Sequence, residues 1–232
     1  MNYFAHGHRY TDRPYFLAGT AIPDWLSVAD RQVRMRPRRV QPFADGSGSP
    51  ASELAAGILQ HLHDDGWFHR TRAFAEVTGA LTHRFRTLLP QDDGMRPSFL
   101  GHIVTELILD GLLIARQPDL LRTYYAALEQ IDPAIVEQAV NNMSREQTNR
   151  LAHLIPLFHR EGFLWDYLEP TKLLRRLNQV LSRIKLNALP PETVVVLEES
   201  WKIVESRADE LLDNHQASEP TDHESATNEP RL

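Results

Sequence analysis

Apolar side chains recur three to four positions apart along most of this chain, which is the spacing of an amphipathic helix. Three strongly periodic segments cover residues 52–67, 74–88 and 98–112. Ser52 and Ser98 stand where N-caps are expected, because a serine hydroxyl accepts a bond from the first free N–H groups of a helix. Further helices are predicted over 118–130, 133–142, 144–161, 170–187 and 191–213.

The remaining segments lack this period. In the first thirty residues Pro14, Gly19 and Pro23 interrupt the apolar groups, which predicts short helices joined by tight turns. Residues 31–52 begin with five arginines and no acid and continue as a Gly/Ser/Pro-rich stretch, so we expect a loop or mobile flap. Residues 214–232 are almost free of apolar groups and are expected to be disordered. The pattern predicts one all-α helical-bundle domain over 1–213 with a polar tail.

Composition narrows the classes of function. The chain has no cysteine, which excludes disulfides, thiolate zinc sites and cysteine nucleophiles. The tail carries half of the formal net charge of -6, so the body is too weakly charged to indicate a nucleic-acid partner. No run of 18 apolar residues and no signal-peptide pattern is found, so we expect a cytoplasmic protein without a membrane span. The oligomeric state stays open.

Histidine is unusually frequent, with 11 residues in 232, and some of these histidines align with acids. Residues four apart share one helix face, so side chains at i, i+4 and i+8 converge. Two predicted helices each carry such a stripe: His61, Asp65 and His69 on the first, and His102, Glu106 and Asp110 on the second. Imidazole and carboxylate are the ligands that suit Zn²⁺, Mn²⁺ or Fe²⁺.

Three interpretations of the stripes stay open. A metal site is favoured, because burying such groups on an apolar helix is costly unless a cation or mutual hydrogen bonds compensate. The alternatives are a buried hydrogen-bonded network and solvated surface stripes. The arginines of the loop, among them Arg36, Arg38 and Arg39, are either a solvated loop or a clamp for a substrate phosphate.

Three segments resemble the bacterial acyl carrier protein phosphodiesterase family: MNYFAH at the start, PYFLAGTAIPDWL after it, and AAGILQHLHDDGWFH in the first strong helix. His6, Asp24, His61 and Asp65 match the positions that the family's motifs hold. The segment GHIV around His102 and the stretch LIPLFHREGFLWDYLEPTKLLRRLNQVLSRI are similar to later family segments. The resemblance covers most of residues 1–210.

The resemblance implies an all-α fold like that of the HD-type metal-dependent phosphohydrolases. It also implies hydrolysis of the phosphodiester that joins phosphopantetheine to acyl carrier protein, with a divalent metal such as Mn²⁺. The expected metal ligands are His6, Asp24, His61, Asp65, His69 and His102. Glu106 or Asp110 is the expected general base, and Arg36, Arg38 and Arg39 are expected to bind the substrate.

Two alternatives accompany this hypothesis. The early Ile-Pro-Asp turn and the His-x3-Asp and Gly-His-x3-Glu-x3-Asp patterns also look like zinc-dependent phospholipase C and related nucleases. The second alternative is a non-catalytic helical scaffold that has lost an ancestral site. It is favoured by Gly101, which stands where the phosphodiesterase family has an acid.

Overall fold

Helices form every regular element in the part of the chain that the computed structural model describes, residues 1–89 and 96–213. The predicted all-α class is confirmed. The expected disordered tail, 214–232, lies outside the described residues. In chain order the α-helices are α1 Tyr3–Gly7, α2 Pro14–Ala29, α3 Pro37–Val40, α4 Pro50–Phe68, α5 Arg72–Leu88, α6 Arg96–Arg116, α7 Pro118–Leu128, α8 Pro133–Met143, α9 Leu151–Glu161, α10 Pro170–Arg183, α11 Thr193–Ser206 and α12 Ala208–Leu212.

The first strong departure from the sequence prediction is α2, which is one continuous 16-residue helix. Gly19 is a packing residue and not a turn, because a Cβ on it would overlap the carbonyl oxygen of Leu54 on α4. A Cβ on Gly57 would likewise overlap the carbonyl oxygen of Phe16. The two glycines therefore let the backbones of α2 and α4 pack in direct contact.

A second close contact joins α5 and α6. A Cβ on Gly101 of α6 would overlap the hydroxyl of Thr82 and lie 2.7 Å from the carbonyl oxygen of Thr78. Close packing against α5 therefore explains the glycine at position 101 without the loss of an acid. Helix α6 also contacts α1, α7, α11 and the 3-10 turn Phe163–Leu168, which makes it the central helix.

The central position of α6 bears on the expected absence of a membrane span. By length and composition alone, α6 is apolar enough to cross a membrane. In the structure, 61% of its most apolar 18-residue window is buried inside the protein, as is common for a core helix. Its Asp110 carboxylate accepts hydrogen bonds from the backbone N–H groups of Phe4 and Ala5, at 2.9 and 2.8 Å. This pair of bonds fixes α1 against α6.

Residues 31–52 are more ordered than the loop that the sequence predicts. They contain α3 and the 3-10 turn Gln41–Phe43, and α4 begins at Pro50. Val33, Met35 and Val40 are buried, so the segment is fastened to the core at three points. The mobile-flap prediction missed these isolated apolar anchors, because they are too few to give a period.

Several predicted boundaries also move. Ser49, and not Ser52, caps α4, and Ser98 lies inside α6. The helix expected over 144–161 begins only at Leu151, because the Asn141 side chain bonds both backbone groups of Thr148 and holds the preceding segment in a loop. The helix expected over 170–187 ends at Arg183. The helix expected over 191–213 is divided into α11 and α12.

Candidate metal centre

Three side chains from α1 and α4, two of them buried histidines, form a group that we call the inner cluster: His6, His61 and Asp65. Each offers one ligand atom, and these atoms lie within 4.8 Å of one another. The two imidazole rings are stacked with centroids 3.9 Å apart. His6 Nε2 lies 3.2 Å from Asp65 Oδ1, and His61 Nε2 lies 3.4 Å from Asp65 Oδ2.

The Nδ1 atoms of the two histidines face oxygen atoms of neighbouring residues. Nδ1 of His61 lies 2.8 Å from the carbonyl oxygen of Thr20, which can only accept, so this nitrogen carries the proton. Nδ1 of His6 faces Asp64 Oδ2 at 3.4 Å, and Gln60 donates to the other oxygen of Asp64. A carbonyl or carboxylate behind each imidazole is the arrangement that orients histidine ligands toward metals.

Both Nε2 atoms face Asp65, and in the neutral ring a proton on Nδ1 leaves the lone pair on Nε2. Nε2 of His6 is buried and forms no hydrogen bond with any described residue, although Asp65 is near. A lone pair facing a carboxylate oxygen is repulsive unless a proton or a metal cation lies between them. Burial opposes ionisation of Asp65, but the contacts with His6 and His61 and the positive charge of the Met1 amine outweigh it and hold the pKa of this carboxyl well below its usual range. The inner cluster is therefore suited to a cation.

A second group lies beside the first, and we call it the outer cluster: His69, His102 and Glu106. His69 directly follows α4, while the other two lie one turn apart on α6. Both Nε2 atoms approach the same oxygen, Glu106 Oε1, at 2.8 Å from His69 and 3.2 Å from His102. Burial would raise the pKa of Glu106, but the Met1 amine and the two imidazoles together lower it strongly.

The amine of Met1 joins the two clusters. It donates to Asp65 Oδ1 at 2.8 Å and to Glu106 Oε1 at 3.1 Å. Burial would lower the pKa of this amine, but the two carboxylates raise it above its usual value. Asp65 and Glu106 thus flank one cationic position, and the two clusters form one continuous polar site.

Asp24, a predicted ligand, lies close to this site but in neither cluster. One of its carboxylate oxygens, Oδ2, is buried and accepts no hydrogen bond from a described residue. Burial raises the pKa of Asp24 to about 7, while the nearby His61 acts in the opposite direction. Asp24 is therefore a carboxylate near the clusters whose Oδ2 stays available for a ligand or a proton.

A cavity of about 440 Å³ opens next to the clusters. Asp24 and Glu106 line it on the side of the clusters, and Tyr3, Trp25 and Phe158 form part of its apolar wall. Its size is within the range of small-molecule sites, about 300–1,000 Å³. A ligand in this cavity would contact the carboxylate at the centre of the outer cluster.

The remaining predicted residues are placed elsewhere. Asp110 is fully buried and its two oxygens bond Phe4 and Ala5, so its position favours a structural role over that of a general base. Burial raises its pKa to about 7, against the lowering effect of the backbone bonds. Arg36, Arg38 and Arg39 are exposed and border a separate surface depression that includes none of the cluster residues.

Two residues that the sequence analysis did not single out belong to the site. Asp64 is fully buried behind His6, although it is off the His61–Asp65 stripe of α4. The carbonyl of Thr20 reaches His61 from α2, and backbone groups leave no signal in a residue pattern. The one signal in the sequence that points to Asp64 is its position next to Asp65. Neighbouring residues of a helix point in different directions, so two adjacent acids can lie on two sides of the stripe.

Comparisons with known proteins leave the family open. No protein-family model, no curated protein and no solved structure matches the chain.

Proposed function

We propose that this protein is a divalent-metal-dependent hydrolase that acts on a phosphodiester. The observation that carries the proposal is the pair of adjoining clusters, in which the Nε2 atoms of two histidines, each with an oxygen acceptor facing its Nδ1, converge on one carboxylate. Mn²⁺, Zn²⁺ and Fe²⁺ are the cations that such nitrogen and oxygen donors suit. The inner cluster, His6, His61 and Asp65, would hold the first cation, and the outer cluster would hold a second.

A divalent cation bound here would supply a water of lowered pKa and positive charge for the phosphate oxygens. The chain's own residues perform the other tasks. Thr20 and Asp64 keep the imidazoles in the ligating orientation. Glu106 is engaged by two imidazoles and so fits a ligand better than a free base. Asp24 lines the cavity, and its Oδ2 accepts no hydrogen bond from a described residue, so it is the carboxylate available to accept a proton from the attacking water.

The more specific assignment, release of phosphopantetheine from acyl carrier protein by a cytoplasmic enzyme, rests on the resemblance alone. A phosphoesterase similar to zinc-dependent phospholipase C uses the same class of donors, and the two assignments differ in substrate.

One observation favours the scaffold alternative. The Met1 amine already pairs with Asp65 and Glu106, and protonated histidines would satisfy the remaining contacts without any metal. Under that alternative the clusters are a hydrogen-bonded network that supports α1, α4 and α6. The two proposals differ in metal content and in turnover.

The test is hydrolysis of bis-p-nitrophenyl phosphate by the full chain after treatment with chelator and reconstitution with Mn²⁺, Zn²⁺ or Fe²⁺. We expect turnover that needs the metal, is lost in His61→Ala, and is retained in His83→Ala, whose side chain is exposed on α5. Asp24→Asn is expected to keep bound metal and lose turnover. Holo-acyl carrier protein is then tried as substrate. Absence of turnover with all three metals would overturn the proposal.

A further inference from the structure

The walls of the 440 Å³ cavity differ sharply from the polar clusters beside it. Three helices and a 3-10 turn supply apolar side chains: Phe99, Ile103 and Leu107 from α6, Leu154, Leu157 and Phe158 from α9, Val180 from α10, and Phe163 from the turn Phe163–Leu168. A ligand with only polar groups, such as a sugar or inorganic phosphate, would leave this surface without a partner. An apolar chain would bury it.

Positive charge is placed along the same cavity. Arg31 and Arg183 lie on its lining and are exposed, and we call them the mouth arginines. Arg31 donates to the Arg183 backbone carbonyl, and neither guanidinium pairs with a carboxylate of a described residue. Arg176, by contrast, is paired with Asp166. Glu161 is an exposed acid of the lining. The two mouth arginines outnumber it, so the exposed part of the lining has an excess of positive charge.

The charge of Arg183 reaches Tyr3 in the lining of the cavity. Burial and the nearby Asp24 raise the pKa of the Tyr3 hydroxyl, and Arg183 acts in the opposite direction. Tyr3 and Asp24 both line the cavity, so Arg183 acts on the part of the cavity that adjoins the candidate metal centre. An anionic group there would lie in a cavity lined by both Arg183 and Glu106 of the outer cluster.

Two buried polar atoms of the lining residues have no hydrogen-bond partner among the described residues. Trp25 is fully buried, and its Nε1–H meets no acceptor among the described residues. The Oδ2 atom of Asp24 meets no donor among them. Buried polar groups nearly always have a partner, so orphaned ones beside a cavity point to a ligand that carries polar atoms.

We propose that this cavity takes a phosphodiester in which one ester group is an apolar chain, with the chain against α6, α9 and α10 and the phosphate charge met by Arg183. The inference rests on the proposed function for the identity of the reacting group. It goes beyond that function because it names the substrate class and the residues that select it.

The test measures binding and needs no turnover. The ligands are butyl, hexyl, octyl and decyl phosphate, each below its critical micelle concentration, titrated calorimetrically into the full chain as purified. These monoesters carry the charge and the chain but lack the second ester bond. We expect affinity to rise roughly fourfold with each added methylene, since each buried methylene contributes about 0.8 kcal/mol, and then to level off once the cavity is full.

Matched variants locate the binding. Val180→Trp fills the cavity and is expected to abolish the gain from hexyl to decyl phosphate, while Val195→Trp, at a position 56% exposed on α11, keeps it. Leu157→Ser makes the wall polar without adding volume and serves if the tryptophan variant does not fold. Arg183→Gln is expected to weaken all four ligands about tenfold with the chain dependence unchanged, whereas the exposed Arg86→Gln has no effect.

The outcomes separate the two proposals. Affinity that does not depend on chain length, or a chain dependence that Val180→Trp and Leu157→Ser leave intact, would overturn the inference about the cavity, whatever the metal content. A chain dependence that these variants remove, in a protein that binds no metal, would support the cavity and overturn the hydrolase.

Discussion

Nδ1 of His61 donates to the carbonyl oxygen of Thr20 at 2.8 Å, and this bond decides which nitrogen faces Asp65. A backbone carbonyl cannot donate, so Nδ1 carries a proton and Nε2 is the nitrogen that offers a lone pair in the neutral ring. The close packing of α2 on α4 at Gly19 and Gly57 brings the carbonyl into reach. The ligating orientation of His61 is therefore a consequence of helix packing.

Asp64 is expected to act through His6. In Asp64→Asn, the group behind His6 Nδ1 loses its charge, so the ring becomes a weaker ligand. We expect the affinity for Zn²⁺ or Mn²⁺ to fall roughly 10- to 100-fold. Competition with a chromophoric chelator measures it. Asp12→Asn, an exposed acid of the same type, is the control, and equal affinities in the two variants would contradict the role of Asp64.

Glu106 and Asp110 lie one turn apart on α6 and are expected to respond differently. Glu106→Gln removes the carboxylate that both outer histidines and the Met1 amine contact, so metal content should fall, together with some stability. Asp110→Asn leaves one of the Phe4 and Ala5 N–H groups without its acceptor, which costs about 1–3 kcal/mol. Urea denaturation and metal analysis are compared side by side. The same loss of metal, without loss of stability, in Asp110→Asn would show that it is a ligand.

The helix contact at Gly57 is expected to tolerate no side chain. Gly57→Ala would place a methyl group against the carbonyl oxygen of Phe16, so the free energy of unfolding should fall by about 1–3 kcal/mol. Gly79→Ala is the matched control, because this exposed position of α5 has no atom within 4 Å of the new methyl group. There we expect a gain of about 0.5–1 kcal/mol. Thermal and urea denaturation distinguish them, and equal effects would contradict the close contact.

Helical periodicity was enough to predict the all-α class and the two polar stripes. It could not predict how the stripes divide. His61 and Asp65 join His6 from α1, whereas His69, just past the end of α4, joins α6. Those partners depend on tertiary packing, which leaves no periodic signal. The sequence also predicts a turn at Gly19. A glycine required by a facing helix looks identical in sequence to one required by a bend.

Low pH is expected to weaken the wall of the cavity through Asp166, whose carboxylate accepts hydrogen bonds from Arg175 and Arg176. Partial burial would raise the pKa of Asp166, but the two arginines outweigh it and lower the pKa. A lowered folded-state pKa gives stability that is complete above the unfolded value of about 3.9 and is lost as the pH falls through the folded value.

Asp166→Asn should therefore destabilise the protein by about 1 kcal/mol at pH 7, and the difference from wild type should shrink as the pH falls below about 4. Urea denaturation across this range measures it, with Asp12→Asn as control. A difference that stays constant with pH would contradict the ion pair.

Metal content tests the central claim most directly. Full-length protein, His61→Ala and His83→Ala are purified without a tag, reconstituted with Mn²⁺, Zn²⁺ or Fe²⁺, freed of excess metal and analysed by plasma mass spectrometry. We predict near-stoichiometric metal in the wild type and in His83→Ala and its loss in His61→Ala. Metal that is absent from all three proteins after reconstitution, or present equally in all three, would contradict the metal centre.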